Sequence, residues 1–215
     1  MLEFFRMEQT LTEEYLKNNV KVENIHFFHD VLKQGKGAIV LTAHIGNWEL
    51  GAAIVTRLGF PLVVIALPHT YKPVNDFFNR QREAHGIKIV PTNIMVRRCI
   101  ENLQANEFVA IAADRDFGSS GQIVNFLGRK TLLPKGAAIF SEKIGSPIIP
   151  VFLIRSADNQ FTLKVKAPLY PPENKENLTK DEMTLKIMNQ YIPFLEDIIR
   201  EYPTQWTIFR EFFIQ

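Results

Sequence analysis

The chain has 215 residues, 46% hydrophobic and 22% charged, with 25 lysines and arginines against 23 aspartates and glutamates for a formal charge of +2. That length can bury one sizeable core and fits a single domain, and so small a net charge does not by itself indicate nucleic acid. The single cysteine, Cys99, excludes an intramolecular disulfide, and no run approaches the ~18 consecutive apolar residues that cross a bilayer.

The chain is expected to open with a helix reaching about Asn19, bulky and apolar from the start. Its Phe4, Phe5, Met7, Leu11 and Leu16 suit either a core or a lipid surface. Val20 to Ile25 alternates like a short strand, and His26 to Lys33 reads as a short helix closed by Gln34-Gly35. Strand and helix then alternate. Strands are expected at Ala38–Thr42, Leu62–Ala66, Ile87–Val90, Phe108–Ala112 and Ile148–Ile154, and helices at Trp48–Leu58, Lys72–His85, Ile94–Gln104 and Lys135–Ile144. Asp114 to Lys130 reads as a long connection. Phe161–Lys166 alternates strictly and reads as an edge strand antiparallel to its predecessor, Pro168–Asn177 as a loop, and about Thr179 to Glu201 as a final helix kinked at Pro193. This order predicts an α/β fold: one domain over residues 1–215, a mainly parallel central sheet flanked by helices, with active residues at the carboxyl ends of strands.

The run Leu41-Thr42-Ala43-His44-Ile45-Gly46-Asn47-Trp48-Glu49-Leu50 places a histidine and a carboxylate across a strand end and a helix start. On one continuous helix that spacing would set the two side chains roughly 140° apart, but Gly46 can break the geometry. With Asn47 as N-cap, Glu49 falls in the first helical turn, where the positive end of the helix favours its ionised form. Such a pair suits general-base catalysis, the imidazole taking a proton from a hydroxyl and the carboxylate fixing its tautomer. The same spacing fits a strand-end histidine that merely hydrogen-bonds the nearest carboxylate. Backbone N–H groups near Gly46 and the following helix start are candidates to stabilise an oxyanion.

Asp114 directly follows an apolar strand, a common place for a functional carboxylate, though it can equally pair with Arg115. Arg82 can offer a guanidinium to a phosphate or carboxylate, or be a solvated helix charge, as can Arg80, Arg97 and Arg98. His26 and His29 share a helix face, yet no H-E-x-x-H or C-x-x-C accompanies them and no metal site is expected. Without G-x-S-x-G, G-x-G-x-x-G or a P-loop, a hydrolase elbow and a nucleotide cofactor are disfavoured.

The segment Thr42 to Gly51, with its H-x-G-N-W-E core, resembles the bacterial lipid A biosynthesis acyltransferases, the lauroyl and myristoyl transferases of the lysophospholipid acyltransferase superfamily. The resemblance continues through Asn79 to Glu83 with Gly86, Ala113 to Asp116, Asn125 to Arg129, Leu133 to Ala137 and Gly145 to Phe152, and ends at Tyr202 to Trp206. It implies a glycerol-3-phosphate acyltransferase-like fold, with His44 as general base, Glu49 as its partner, and Arg82 and Asp114 in the same cleft. Gly46, Asn47 and Arg115 complete the expected substrate-binding set. The implied activity is O-acyl transfer from an acyl carrier protein or acyl-CoA thioester to a hydroxyl of a membrane glycolipid, a lipid A precursor first. The implied setting is a membrane surface, the cytoplasmic face of the bacterial inner membrane, with no metal, no dissociable cofactor and no nucleic acid. Family members usually begin with a membrane-anchoring helix, which this chain is expected to lack. Arg115 and Arg210 depart from the lipid A pattern. They keep open another glycolipid acceptor, such as a mannosylated phosphatidylinositol; a thioesterase and an inactive lipid- or carrier-protein-binding module are the alternative readings of the chain.

Overall fold

The computed structural model describes residues 2–91, 94–116, 121–173 and 178–214. In chain order the elements are α1 (Leu2–Thr10), α2 (Glu13–Asn19), β1 (Val20–Glu23), α3 (His26–Leu32), β2 (Ala38–Thr42), α4 (Trp48–Arg57), β3 (Leu62–Ala66), α5 (Lys72–Ala84) and β4 (Lys88–Pro91). They continue with α6 (Met95–Gln104), β5 (Phe108–Ala112), β6 (Gln122–Phe126), β7 (Arg129–Leu133), α7 (Gly136–Ile144), β8 (Ile148–Arg155), β9 (Phe161–Val165) and α8 (Lys180–Glu201). The single helix expected at the start is two. Thr12 is extended and its hydroxyl accepts the Tyr15 N–H at 3.1 Å, so a cap ends one helix and begins another. Thr179 caps α8 reciprocally with Glu182, and α8 continues past Pro193.

Seven strands form one sheet in the order β1-β9-β8-β2-β5-β3-β4. The five from β8 to β4 are parallel, β9 is antiparallel to β8, and β1 pairs in parallel with β9. The Phe161 strand is therefore not an edge. Its alternation reports which face is buried, whereas edge pairing depends on β1, whose Val20 sits opposite Phe161. Alternate residues of β2 serve different cores: Ile39 and Leu41 face α6, α7 and α8, while Ala38 and Val40 face the side of α1, α3 and α4. That is the period-two geometry of a strand covered on both faces.

The long connection after β5 contains more structure than its composition suggests. β6 and β7 form an antiparallel hairpin through Leu127-Gly128, both at positive φ (52° and 83°), and the Leu127 N–H donates to Glu196 Oε1 of α8 at 2.6 Å. Residues 117–120, expected to belong to that connection, and 174–177, expected in the loop before α8, lie outside the described residues. Among the described residues no helix is long and apolar enough to cross a membrane.

Candidate active site

The strand order brings the chemistry together. β2 and β5 are neighbours in register, Thr42 opposite Ala112, so the residues just beyond their carboxyl ends meet. His44 Nδ1 lies 2.7 Å from Asp114 Oδ1. The other oxygen, Oδ2, accepts the His44 backbone N–H and the Trp206 Nε1–H, each at 3.0 Å. The Asp114 side chain is fully buried and that of His44 is 16% exposed. Burial alone would raise the Asp114 carboxyl, but the hydrogen bonds and electrostatic attraction of His44 and the hydrogen bond from Trp206 outweigh it and hold the group below its ordinary value. With Nδ1–H directed at that carboxylate, the imidazole lone pair sits on Nε2, which has no partner among the described residues. The ring stands edge-to-face with Trp48, centroids 5.0 Å apart.

Glu49 is placed differently from the expectation. It lies in the first turn of α4 and receives the Arg82 guanidinium from the last turn of α5, Nε to Oε2 at 3.0 Å and Nη2 to Oε1 at 2.5 Å. Both side chains are nearly buried. A guanidinium in that position needs a carboxylate, and a planar fork matches its two oxygens. Helix rotation thus turns Glu49 towards α5, and Asp114 takes the place at His44. Arg82 is not a lone anion-binding group either, since Glu49 occupies its fork and Phe78 lies under it at 5.6 Å.

Gly46 adopts φ +60°, and a Cβ there would sit 1.9 Å from the Leu153 carbonyl oxygen, so the turn between β2 and α4 admits no side chain. Its N–H donates to the Gln205 carbonyl and that of Asn47 to the Leu153 carbonyl, both at 3.0 Å. These two amides hold the turn rather than an oxyanion, which corrects the Gly46 part of the expectation and leaves its helix-start part. Asn47 is the N-cap of α4, as its position suggested, accepting the Leu50 N–H at 3.2 Å. Its Nδ2 donates to Glu3 Oε2 at 3.1 Å. Trp48 and Glu49 open α4, and their N–H groups have no carbonyl one turn back.

A strap from Tyr202 to Thr207 closes over this turn. Gln205 accepts the Arg155 N–H at 3.0 Å and donates to the Arg155 carbonyl at 2.7 Å. Thr207 donates to the His44 carbonyl from both its N–H, at 2.9 Å, and its hydroxyl, at 2.8 Å. Arg115 donates to the Thr207 carbonyl instead of pairing with Asp114. Trp206, Gln205 and Thr207 were not singled out as site residues, because a run 163 positions from the histidine carries no spacing signal. A cavity of about 540 Å³ opens beside the turn, lined by Gly46, Asn47, Arg155, Phe161, Tyr202 and Gln205.

The remaining candidates do not join this site. Arg97 and Arg98 pair with Glu101 on an exposed face, and Phe4 and Phe5 of α1 cluster with Phe78 and Phe77 of α5. Cys99 is buried in α6, and burial pushes its thiol up to about 11. Among the described residues no group of three or more His, Cys, Asp or Glu could hold a metal ion.

The phosphatidylinositol mannoside acyltransferase of Mycolicibacterium smegmatis is 28% identical over 142 residues, covering 63% of this chain and 46% of that protein. Its namesake in Mycobacterium tuberculosis is 29% identical over 126 residues, covering 55% of this chain and 39% of that protein. The matched region thus spans less than half the length of either relative. The family model described as bacterial lipid A biosynthesis acyltransferase matches residues 1–214. With so nearly complete a match, the chain belongs to the bacterial lipid A biosynthesis acyltransferase family.

Proposed function

We propose that the chain is a glycolipid O-acyltransferase, moving a fatty acyl group from an acyl carrier protein or acyl-CoA thioester to a hydroxyl of a membrane phosphoglycolipid. His44 is the general base and Asp114 its orienting carboxylate. The observation that carries this reading is the 2.7 Å contact between His44 Nδ1 and a fully buried Asp114, within a chain of this family. His44 Nε2 takes the acceptor proton as the hydroxyl oxygen attacks the thioester carbonyl. Asp114, held by three N–H donors, stabilises the imidazolium that forms. Collapse of the tetrahedral intermediate breaks the carbon–sulfur bond, and the proton on Nε2 passes to the leaving thiolate. The first amides of α4, which begins in ring contact with His44, put the positive end of a helix near the developing oxyanion.

Glu49 and Arg82 act one layer back, fixing α4 against α5 and so the turn that bears His44. Gly46, Asn47 and Arg115 hold that turn and the strap around the substrates. The scheme needs no covalent acyl-enzyme, metal or dissociable cofactor. The site of action is the cytoplasmic face of the inner membrane, where a carrier-borne thioester and a lipid acceptor meet. The names of the two relatives favour a mannosylated phosphatidylinositol as acceptor and the family name a lipid A precursor, so both enter the assay.

The test is acyl transfer from radiolabelled acyl-CoA and acyl carrier protein to each acceptor in vesicles, for wild type and His44→Ala. Labelled glycolipid from wild type and none from a folded His44→Ala supports the reading. Acyl release without an acceptor indicates a thioesterase, and turnover in His44→Ala overturns the mechanism.

A further inference from the structure

Arg155 is the last residue of β8, which runs parallel to β2, so it stands at the same end of the sheet as His44. Its backbone is pinned on both sides by Gln205, whose amide takes the Arg155 N–H and carbonyl at 3.0 and 2.7 Å. Its guanidinium lies across the Phe161 ring, 4.5 Å from the centroid. One terminal nitrogen, Nη2, donates to Glu3 of α1. Nε and Nη1 have no hydrogen bond among the described residues, and the side chain remains 34% exposed on the wall of the cavity beside the catalytic turn.

An arginine fixed at its backbone, stacked on an aromatic face and still offering donors is a preorganised cation, and its planar donor array matches a phosphate. Its counterion among the described residues is already shared, because Glu3 also accepts from Asn47 Nδ2. Arg82 contrasts with it, both ends of its fork being filled by Glu49. The cavity volume of about 540 Å³ is that of a small-molecule pocket. Gly46 and Asn47 in its wall belong to the turn that carries His44, so the cavity adjoins that turn, although the His44 ring itself does not line it.

We propose that this cavity is a phosphate-ester subsite of the acyltransferase, with Arg155 as its anion-binding residue and Glu3 as the internal carboxylate a substrate phosphate displaces. The inference rests on the acyltransferase reading above. Two substrates carry this chemistry: the donor in its phosphopantetheine arm, and the acceptor in its phosphodiester headgroup.

Calorimetric titration with 4′-phosphopantetheine and with glycerophosphoinositol, on wild type, Arg155→Gln, Arg155→Lys and Glu3→Gln, tests it and separates the sources. For at least one probe, affinity should fall about tenfold in Arg155→Gln. It should fall less in Arg155→Lys, which keeps charge without the planar fork, and rise in Glu3→Gln, which removes the competing carboxylate. Dependence confined to phosphopantetheine assigns the subsite to the donor, and dependence confined to glycerophosphoinositol to the acceptor. Arg155→Gln matching wild type for both probes, or neither probe binding wild type, overturns the proposal. Thermal melts confirm that the variants fold. Arg155-dependent binding in a protein that transfers no acyl group would sink the catalytic reading and keep the subsite, whereas wild-type transfer without Arg155-dependent binding would do the reverse.

Discussion

Asp114→Asn removes the charge at the centre of the site while keeping the side chain's shape. In the wild type three N–H groups converge on the carboxylate: His44 Nδ1–H at 2.7 Å, and the His44 backbone N–H and Trp206 Nε1–H at 3.0 Å. An asparagine has one acceptor oxygen, so its NH2 must face at least one of these donors. In a fully buried site such an unmet donor costs about 1–3 kcal/mol, or a fall in Tm of roughly 2–12 °C for a chain of this size. The chain should therefore remain folded. Catalysis should suffer more, since the amide favours the wrong imidazole tautomer and cannot stabilise the cation. In a serine-protease triad the same change costs about 10⁴-fold in kcat, and about 10²–10⁴-fold is expected here. The stability difference carries a pH signature. Asp114 titrates below its ordinary value of 3.8 in the folded chain. Its ionised form therefore stabilises the native state fully above that value, and the contribution is lost as the pH falls through the lower, folded value. Urea denaturation of the two proteins should show a gap at pH 7 that narrows towards pH 3, alongside acyl-transfer kinetics at pH 7. A folded Asp114→Asn with kcat within about threefold of wild type would refute the pairing argument, as would a stability gap unchanged across that pH range.

Gly46→Ala would set a Cβ against the Leu153 carbonyl at a positive φ. It should lower stability by about 2–4 kcal/mol, seen as a lower urea midpoint; an unchanged midpoint would contradict the close approach. Glu49→Leu and Arg82→Met should each cost about 3–5 kcal/mol by stranding a buried charge, and the double variant much less than their sum. Strictly additive losses in that cycle would mean that the pair does not form. Cys99, its thiol pushed up to about 11, should resist iodoacetamide at pH 8 in the native protein and react once the chain is unfolded in urea. Native labelling accompanied by loss of transfer would make it a candidate nucleophile.

What the sequence determined by itself is local. Alternation and apolar runs located β2, β3 and β5 to the residue, and the Asn47 cap at the start of α4 follows from a short polar side chain before a helical pattern. His44 and Asp114 were each legible as strand-end residues, because a strand's end shows in the chain where the apolar run stops. Which residues meet there was decided only in three dimensions. Asp114 reaches His44 because β5 lies next to β2 in the sheet, an order no periodicity encodes. Glu49, nearer in sequence, is turned to Arg82 by the packing of α4 on α5. The hairpin after β5 was hidden because its turn places Leu127 at positive φ, a conformation its residue type does not announce. The strap of Gln205, Trp206 and Thr207 completes the site from the far end of the chain, where hydrogen bonds form by spatial proximity alone. Backbone propensity and hydrophobic period act over a few residues, whereas strand order, helix rotation and the satisfaction of buried polar groups are settled by the packed whole.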